Sequence, residues 1–223
     1  MVTFESLLMF LGSTICHQIP ERSYSFQGFQ MPLCARCIGI HLGFIISSMF
    51  FLAGPKRLSL GLPGKKQMIV LGIIMAFFLI DAGLSYSGLD TSNNLRRTLS
   101  GLAAGVPLPF ILYPLLNTVL FPGTKRSTVL DKPFDWAWLA GLYGLGALII
   151  LSAESFGPLF YAVSAVGVIG VFVFFTALFS VIVGLMLEQR PLSSSTKILG
   201  AAVLAFAFLM VLAAVHKAFF TNI

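Results

Sequence analysis

Apolar and polar positions alternate along this chain in long blocks, not in the short rhythm of a soluble fold. Predominantly apolar runs occupy 38–53, 67–86, a stretch opening at Leu95, 134–153, a long run ending at Leu187, and 196–220. A helix needs about 20 apolar residues to cross a hydrocarbon core, and these runs fit that length. The pattern predicts an all-α, polytopic transmembrane bundle of about six helical segments. Breaks fall where turn chemistry concentrates: Pro55 to Gly64 with Lys56, Arg57, Lys65 and Lys66, then Ser87 to Asn94, Pro122 to Pro133, Glu154 to Pro158, and Glu188 to Ser195. Pro107, Pro109 and Pro114 predict a kink in the third span, with the freed carbonyls satisfied by neighbouring helices. Trp136 and Trp138 open the fourth span at interface depth.

Composition strengthens this reading. Of 223 residues, 57% are hydrophobic and 10% are charged, against about 25% charged in soluble domains; mean hydropathy is +0.95. Residues 1–15 lack the basic opening of a secretory signal and are expected to remain, as an interface helix or as part of the bundle. No internal repeat or low-complexity tract interrupts the chain. The expectation is one membrane domain over 1–223, with a motif-bearing segment at 1–37 and the spans at 38–220. The net charge of +6 speaks to topology and membrane lipid, and no basic-aromatic alternation points to nucleic acid.

Loop charges set the expected orientation. Lys56, Arg57, Lys65, Lys66, Lys125, Arg126, Lys132, Arg190 and Lys197 fall on one side; Arg22, Arg36, Arg96, Arg97 and Lys217 fall on the other. The excess places the first group in the cytoplasm of a cell membrane. The segment from Cys16 to His41 then faces outward.

That segment holds the candidate chemistry. All three cysteines and two of the three histidines lie within it, as Cys16-His17 and Cys34-Ala35-Arg36-Cys37, with His41 one turn further on. Cysteine pairs at this spacing chelate zinc at a turn, and tetrahedral zinc favours Cys and His. The expected ligands are Cys16, Cys34, Cys37 and His17, with His41 as the substitute for His17, and Arg22 and Arg36 offsetting thiolate charge. The sulfurs would then lie about 3.5–4 Å apart. A redox dithiol at Cys34 and Cys37, with Cys16 as the resolving thiol, is the alternative, and ordinary structural thiols are a third. An odd cysteine number leaves at least one outside any intrachain disulfide.

Asp81 lies about two turns inside the second span, where a carboxylate needs a partner. Arg96 or Arg97 is the expected partner, and Asp81 serves as base, as a further ligand, or as one half of a structural pair locking two helices. Glu21 would orient a ligand histidine or pair with Arg22. Arg22, Arg36, Asn93, Arg96 and Arg97 are the candidate residues for an anionic substrate, the arginines through charge-assisted bonds to phosphate. Asn93, Arg97, Gly101 and Gly105 recur at spacing four, so they share a helix face whose glycines admit a close neighbour. Phe26, Phe29 and Met31 are expected to seat the segment on the membrane surface, with His216 interfacial.

Together, Cys-His-x-x-Pro-Glu-Arg-Ser at Cys16 to Ser23, Cys-x-Arg-Cys-x-Gly at Cys34 to Gly39, Asp81, and Asn-x-x-Arg before the glycine pair resemble a prokaryotic family of predicted integral membrane proteins of unknown function. The resemblance covers the first half of the chain. It departs from the family pattern at His41, where Tyr is common, and at Ala82, which separates Asp81 from Gly83. Three functions follow from these residues: a membrane metalloprotein acting on a lipid-linked or anionic substrate, a thiol-disulfide oxidoreductase, or a transporter whose path runs by Asp81 and the broken third span. A membrane protein stabilised by a metal staple is the plainest reading.

Overall fold

The computed structural model describes residues 3–53, 61–120, 128–187 and 193–220. Lys56, Arg57, Lys125, Arg126 and Arg190, which carry much of the charge asymmetry, lie outside the described residues.

Helices account for almost all of the ordered structure: α1 (Phe4–Gly12), α2 (Ala35–Ala53), α3 (Lys65–Tyr86), α4 (Asn94–Gly105), α5 (Leu108–Leu120), α6 (Pro133–Ser152), α7 (Gly157–Met186) and α8 (Ser194–Phe220). Among the described residues, five stretches are long and apolar enough to cross a membrane: Lys65–Tyr86, Asn94–Leu120, Pro133–Ser155, Gly157–Met186 and Ser194–His216. The second of these is α4 and α5 joined at the Val106–Pro107 break, where Phe110 donates to the Pro107 carbonyl at 3.1 Å. The kink therefore falls where Pro107 cannot continue the ladder. Thr118 donates its hydroxyl back to the Pro114 carbonyl at 2.8 Å, a local side-chain bond within α5.

The first apolar run differs from the rest. Helix α2 is the central element, with Ile38, Leu42, Phe44 and Phe51 buried and α4, α5, α6 and α7 around it. Its closest neighbour is α4. At Gly101 and Gly105 an added Cβ would collide with the carbonyls of Arg36 and Ile40, and at Gly39 it would meet the Thr98 carbonyl at 2.7 Å. Two backbones in direct contact explain why small residues stand there. By contrast α3 lies at the periphery, buries only Leu71 and Asp81, and packs on α4.

Before α2 the chain builds a small non-helical unit. A 3-10 turn at Pro20–Arg22 leads to β1 (Ser25–Phe26) and β2 (Phe29–Gln30), paired antiparallel. Gln27 and Gly28 close the hairpin with φ of 48° and 86°, the left-handed pair that a two-residue turn requires. Met31 was expected on the membrane surface and is instead fully buried in the core. Phe26 packs on Phe160 of α7, and Phe29 alone of the three is exposed. Met31 directly follows the hairpin, and its non-polar side chain joins the buried core cluster instead of the surface.

Candidate metal centre

The cysteines come together through one close backbone approach and two bridging glutamines. Gly12 at the end of α1 sits against the Pro32 carbonyl with no room for a side chain, which brings the α1 exit beside the α2 entry. Gln18, with φ 53°, turns the chain, and its side-chain amide donates to the Met9 carbonyl at 2.6 Å and the Pro32 carbonyl at 3.0 Å. Gln30 closes the frame by donating to the Gln18 carbonyl at 2.7 Å and the Ser23 hydroxyl at 3.2 Å. Glutamine amides offer two donors each, and here they tie three separate stretches into one cradle.

Inside it the sulfurs of Cys16, Cys34 and Cys37 lie within 4.8 Å of one another. All three thiols are free. The Cys16 sulfur accepts the backbone N–H of Cys34 at 3.2 Å and of Gln18 at 3.5 Å, and the residue is 3% exposed. Hydrogen bonds from the Cys16 and Cys37 thiols hold Cys34 well below the ordinary thiol range. Its hydrogen bond with Cys34, together with burial, pushes Cys16 up to about 11. Cys34 directly precedes α2, where the helix dipole favours a thiolate.

His17 does not join the sulfurs. It is exposed, and its ring faces His216 at the end of α8, centroids 5.4 Å apart. His41 does not join them either; it is buried beside Phe174, its Nδ1 without a partner. The sulfurs open instead onto a cavity of about 130 Å³ lined by Cys16, His17, Arg22, Cys34, Cys37 and Tyr86 among others.

Next to this cavity stands a second cluster. Asp81, 1% exposed, accepts from Arg36 Nη2 at 2.5 Å, Arg96 Nε at 2.7 Å, the Ser100 hydroxyl at 2.7 Å and the Ser92 hydroxyl at 3.0 Å. Two donors reach each carboxylate oxygen, which occupies the positions a carboxylate offers. Arg96 also pairs with Asp90 at 2.5 Å. Arg97 pairs with no carboxylate among the described residues; its Nη1 meets the Asn94 side-chain oxygen at 3.3 Å and its Nε is buried without a partner. Arg22 and Arg36 flank the Tyr86 ring at 5.7 and 5.8 Å from its centroid.

Two expected site residues stand apart. Glu21 is exposed and has no hydrogen-bond or ion-pair partner among the described residues, so it orients no histidine and does not pair with Arg22. Asn93 is the N-cap of α4, its side-chain oxygen accepting the Arg96 N–H at 2.8 Å, which occupies it with the helix end. Sequence reasoning missed Gln18, Gln30, Tyr86, Asp90, Ser92 and Ser100. Only Gln18, inside the first motif, carried a signal that pointed to the site.

Residues 16–111 match DUF2085, described as a predicted membrane protein family. An uncharacterized protein of Methanocaldococcus jannaschii is 32% identical over 113 residues, covering 51% of this chain and 70% of the relative. The chain belongs to the DUF2085 family. A second uncharacterized protein, from Methanothermobacter thermautotrophicus, is 32% identical over 106 residues, 48% of this chain and 91% of the relative. No solved structure matches the chain. The DUF2085 stretch opens at Cys16 and closes within α5, so it contains the three cysteines, Asp81 and the arginines, and excludes α6 to α8.

Proposed function

We propose that this DUF2085 protein is a membrane metalloprotein in which Cys16, Cys34 and Cys37 hold one zinc ion, and that it acts there on an anionic or lipid-linked group. The observation that carries this is the convergence of three sulfurs, from stretches 18 residues apart, within 4.8 Å of one another beside an open cavity. Tetrahedral zinc with bonds near 2.3 Å needs sulfurs about 3.5–4 Å apart, a spacing within that bound. Zinc is the metal favoured by thiolate-rich sets of this kind. His17 is dropped as fourth ligand, which leaves the fourth position toward the cavity, where a bound ion supplies Lewis acidity or an activated water.

Asp81 has a positioning role in this reading. Saturated by four donors, it fixes Arg36 beside the cysteines and holds α3 to α2 and α4, and takes no proton. The excess of Lys65, Lys66, Lys132 and Lys197 at the end of the bundle away from the cysteines, together with the Lys56, Arg57, Lys125, Arg126 and Arg190 that the sequence puts in the same connectors, supports a cell-membrane topology with the metal outside.

Elemental analysis with thiol titration on detergent-purified protein tests this. One zinc per chain and no disulfide-linked thiol is the expected result. The lowered Cys34 thiol at a helix N-terminus favours a second reading, a dithiol that closes to a disulfide and passes two electrons and two protons to a quinone or a partner disulfide. Absence of metal, with two thiols appearing only after reduction, would select it.

A further inference from the structure

The arginines around the cysteines are not equally free to bind an anion. Arg36 and Arg96 are matched by Asp81 and Asp90. Arg22 and Arg97 have no carboxylate partner among the described residues, and Arg97 is 8% exposed with Nε unpartnered. A buried guanidinium without an anion carries a large desolvation penalty. Arg97 lies within electrostatic reach of the like charges of Arg22 and Arg36, of Cys34, and of Asp81, whose oxygens are already taken by other donors; Arg22 and Cys34 line the cavity. A divalent ion on three thiolates bears one negative charge, which leaves one of the two positive charges of Arg22 and Arg97 unbalanced.

Taking the three-thiolate metal as given, we infer that a phosphoryl group binds in this cavity, with one oxygen on the metal's fourth position and the others facing Arg22 and Arg97. Three segments then supply what an anion needs: the cysteine cradle an open position on its ion, the 3-10 turn Arg22 in the cavity lining, and α4 Arg97, which does not line the cavity but lies within electrostatic reach of Arg22 and Cys34. A phosphoryl group offers an acceptor oxygen to each, whereas a carboxylate has only two oxygens. Guanidinium forks suit phosphate oxygens. About 130 Å³ is roomy, since a single water needs only about 10–15 Å³ on a comparable measure. Tyr86, at the end of the lipid-facing helix α3, stands at the edge of the cavity, so the phosphoryl group can belong to free phosphate or to a lipid headgroup.

The test uses the full-length protein in detergent loaded with cobalt(II), titrated in parallel with inorganic phosphate, dihexanoyl phosphatidic acid and acetate. Sulfur-to-cobalt charge transfer reports the three thiolates, and the d–d bands report the fourth ligand. A saturable d–d shift with phosphate or the short lipid, and none with acetate at equal concentration, is expected. Whichever phosphoryl compound saturates at lower concentration identifies the source. Arg22→Gln, a half-buried residue without an ion pair, should weaken binding by at least about tenfold while the charge transfer persists; Arg97→Gln should do the same if it folds. Charge transfer with no d–d response to either phosphoryl compound overturns this inference and leaves the metal reading standing. An equal response to acetate overturns the phosphoryl class. Lack of charge transfer in the unmodified protein refutes the metal reading, and this inference with it.

Discussion

Asp81 and His17 show how far single residues could be read in advance. A carboxylate inside a span needs partners, so an arginine near Asp81 was legible from the sequence. Its other partners were not, because Arg36 and Ser100 reach it from different helices and only the packing of α2 against α4 aligns them. Removing the carboxylate strands a buried guanidinium, so Asp81→Ala should cost about 3–5 kcal/mol. Asp81→Asn, which keeps a shape and one acceptor, should cost less; thermal unfolding in detergent orders the two. If Asp81→Asn kept full stability, the carboxylate would not be the lock described here. His17 was assigned to the metal by its adjacency to Cys16, but sequence does not say on which side of a left-handed turn a side chain falls. His17→Ala should keep the bound metal while Cys16→Ser loses it, as elemental analysis of the two variants would record.

The helices were legible to within a few residues, since runs of apolar residues and prolines dictate them locally. Their relations were less so. The spacing of Gly101 and Gly105 pointed to a close neighbour, and α2 is that neighbour. The hairpin at 25–30 went unseen because Gln27-Gly28 lacks the Asn or Asp that marks such turns, and Met31 followed it inward. Gly101→Ala should destabilise the bundle by about 1–3 kcal/mol, because its methyl meets a backbone carbonyl that cannot step aside. Gly83→Ala, in α3 with nothing near its missing Cβ, should be neutral or slightly stabilising. A matching loss at both positions, read by the same unfolding assay, would show that the α2–α4 contact is looser than described.

At the scale of the whole molecule, one end of the bundle gathers the cysteines, Asp81, Arg22, Arg36, Arg96 and Arg97, and the other, among the described residues, gathers Lys65, Lys66, Lys132 and Lys197. The expected orientation puts the lysine end in the cytoplasm. Cysteines placed at Lys66 and Lys132 should then resist an impermeant thiol reagent in intact cells and react after permeabilisation, while one at Ser87 should react in both. Ready labelling at Lys66 in intact cells would invert the topology. The central claim is narrower, that three thiolates share one ion with a fourth position left for a lighter atom. X-ray absorption at the zinc edge of the purified protein addresses it directly. The account predicts three sulfurs near 2.3 Å and one oxygen or nitrogen at about 2.0–2.1 Å. A shell with fewer than three sulfurs, or protein that holds no zinc, would contradict it.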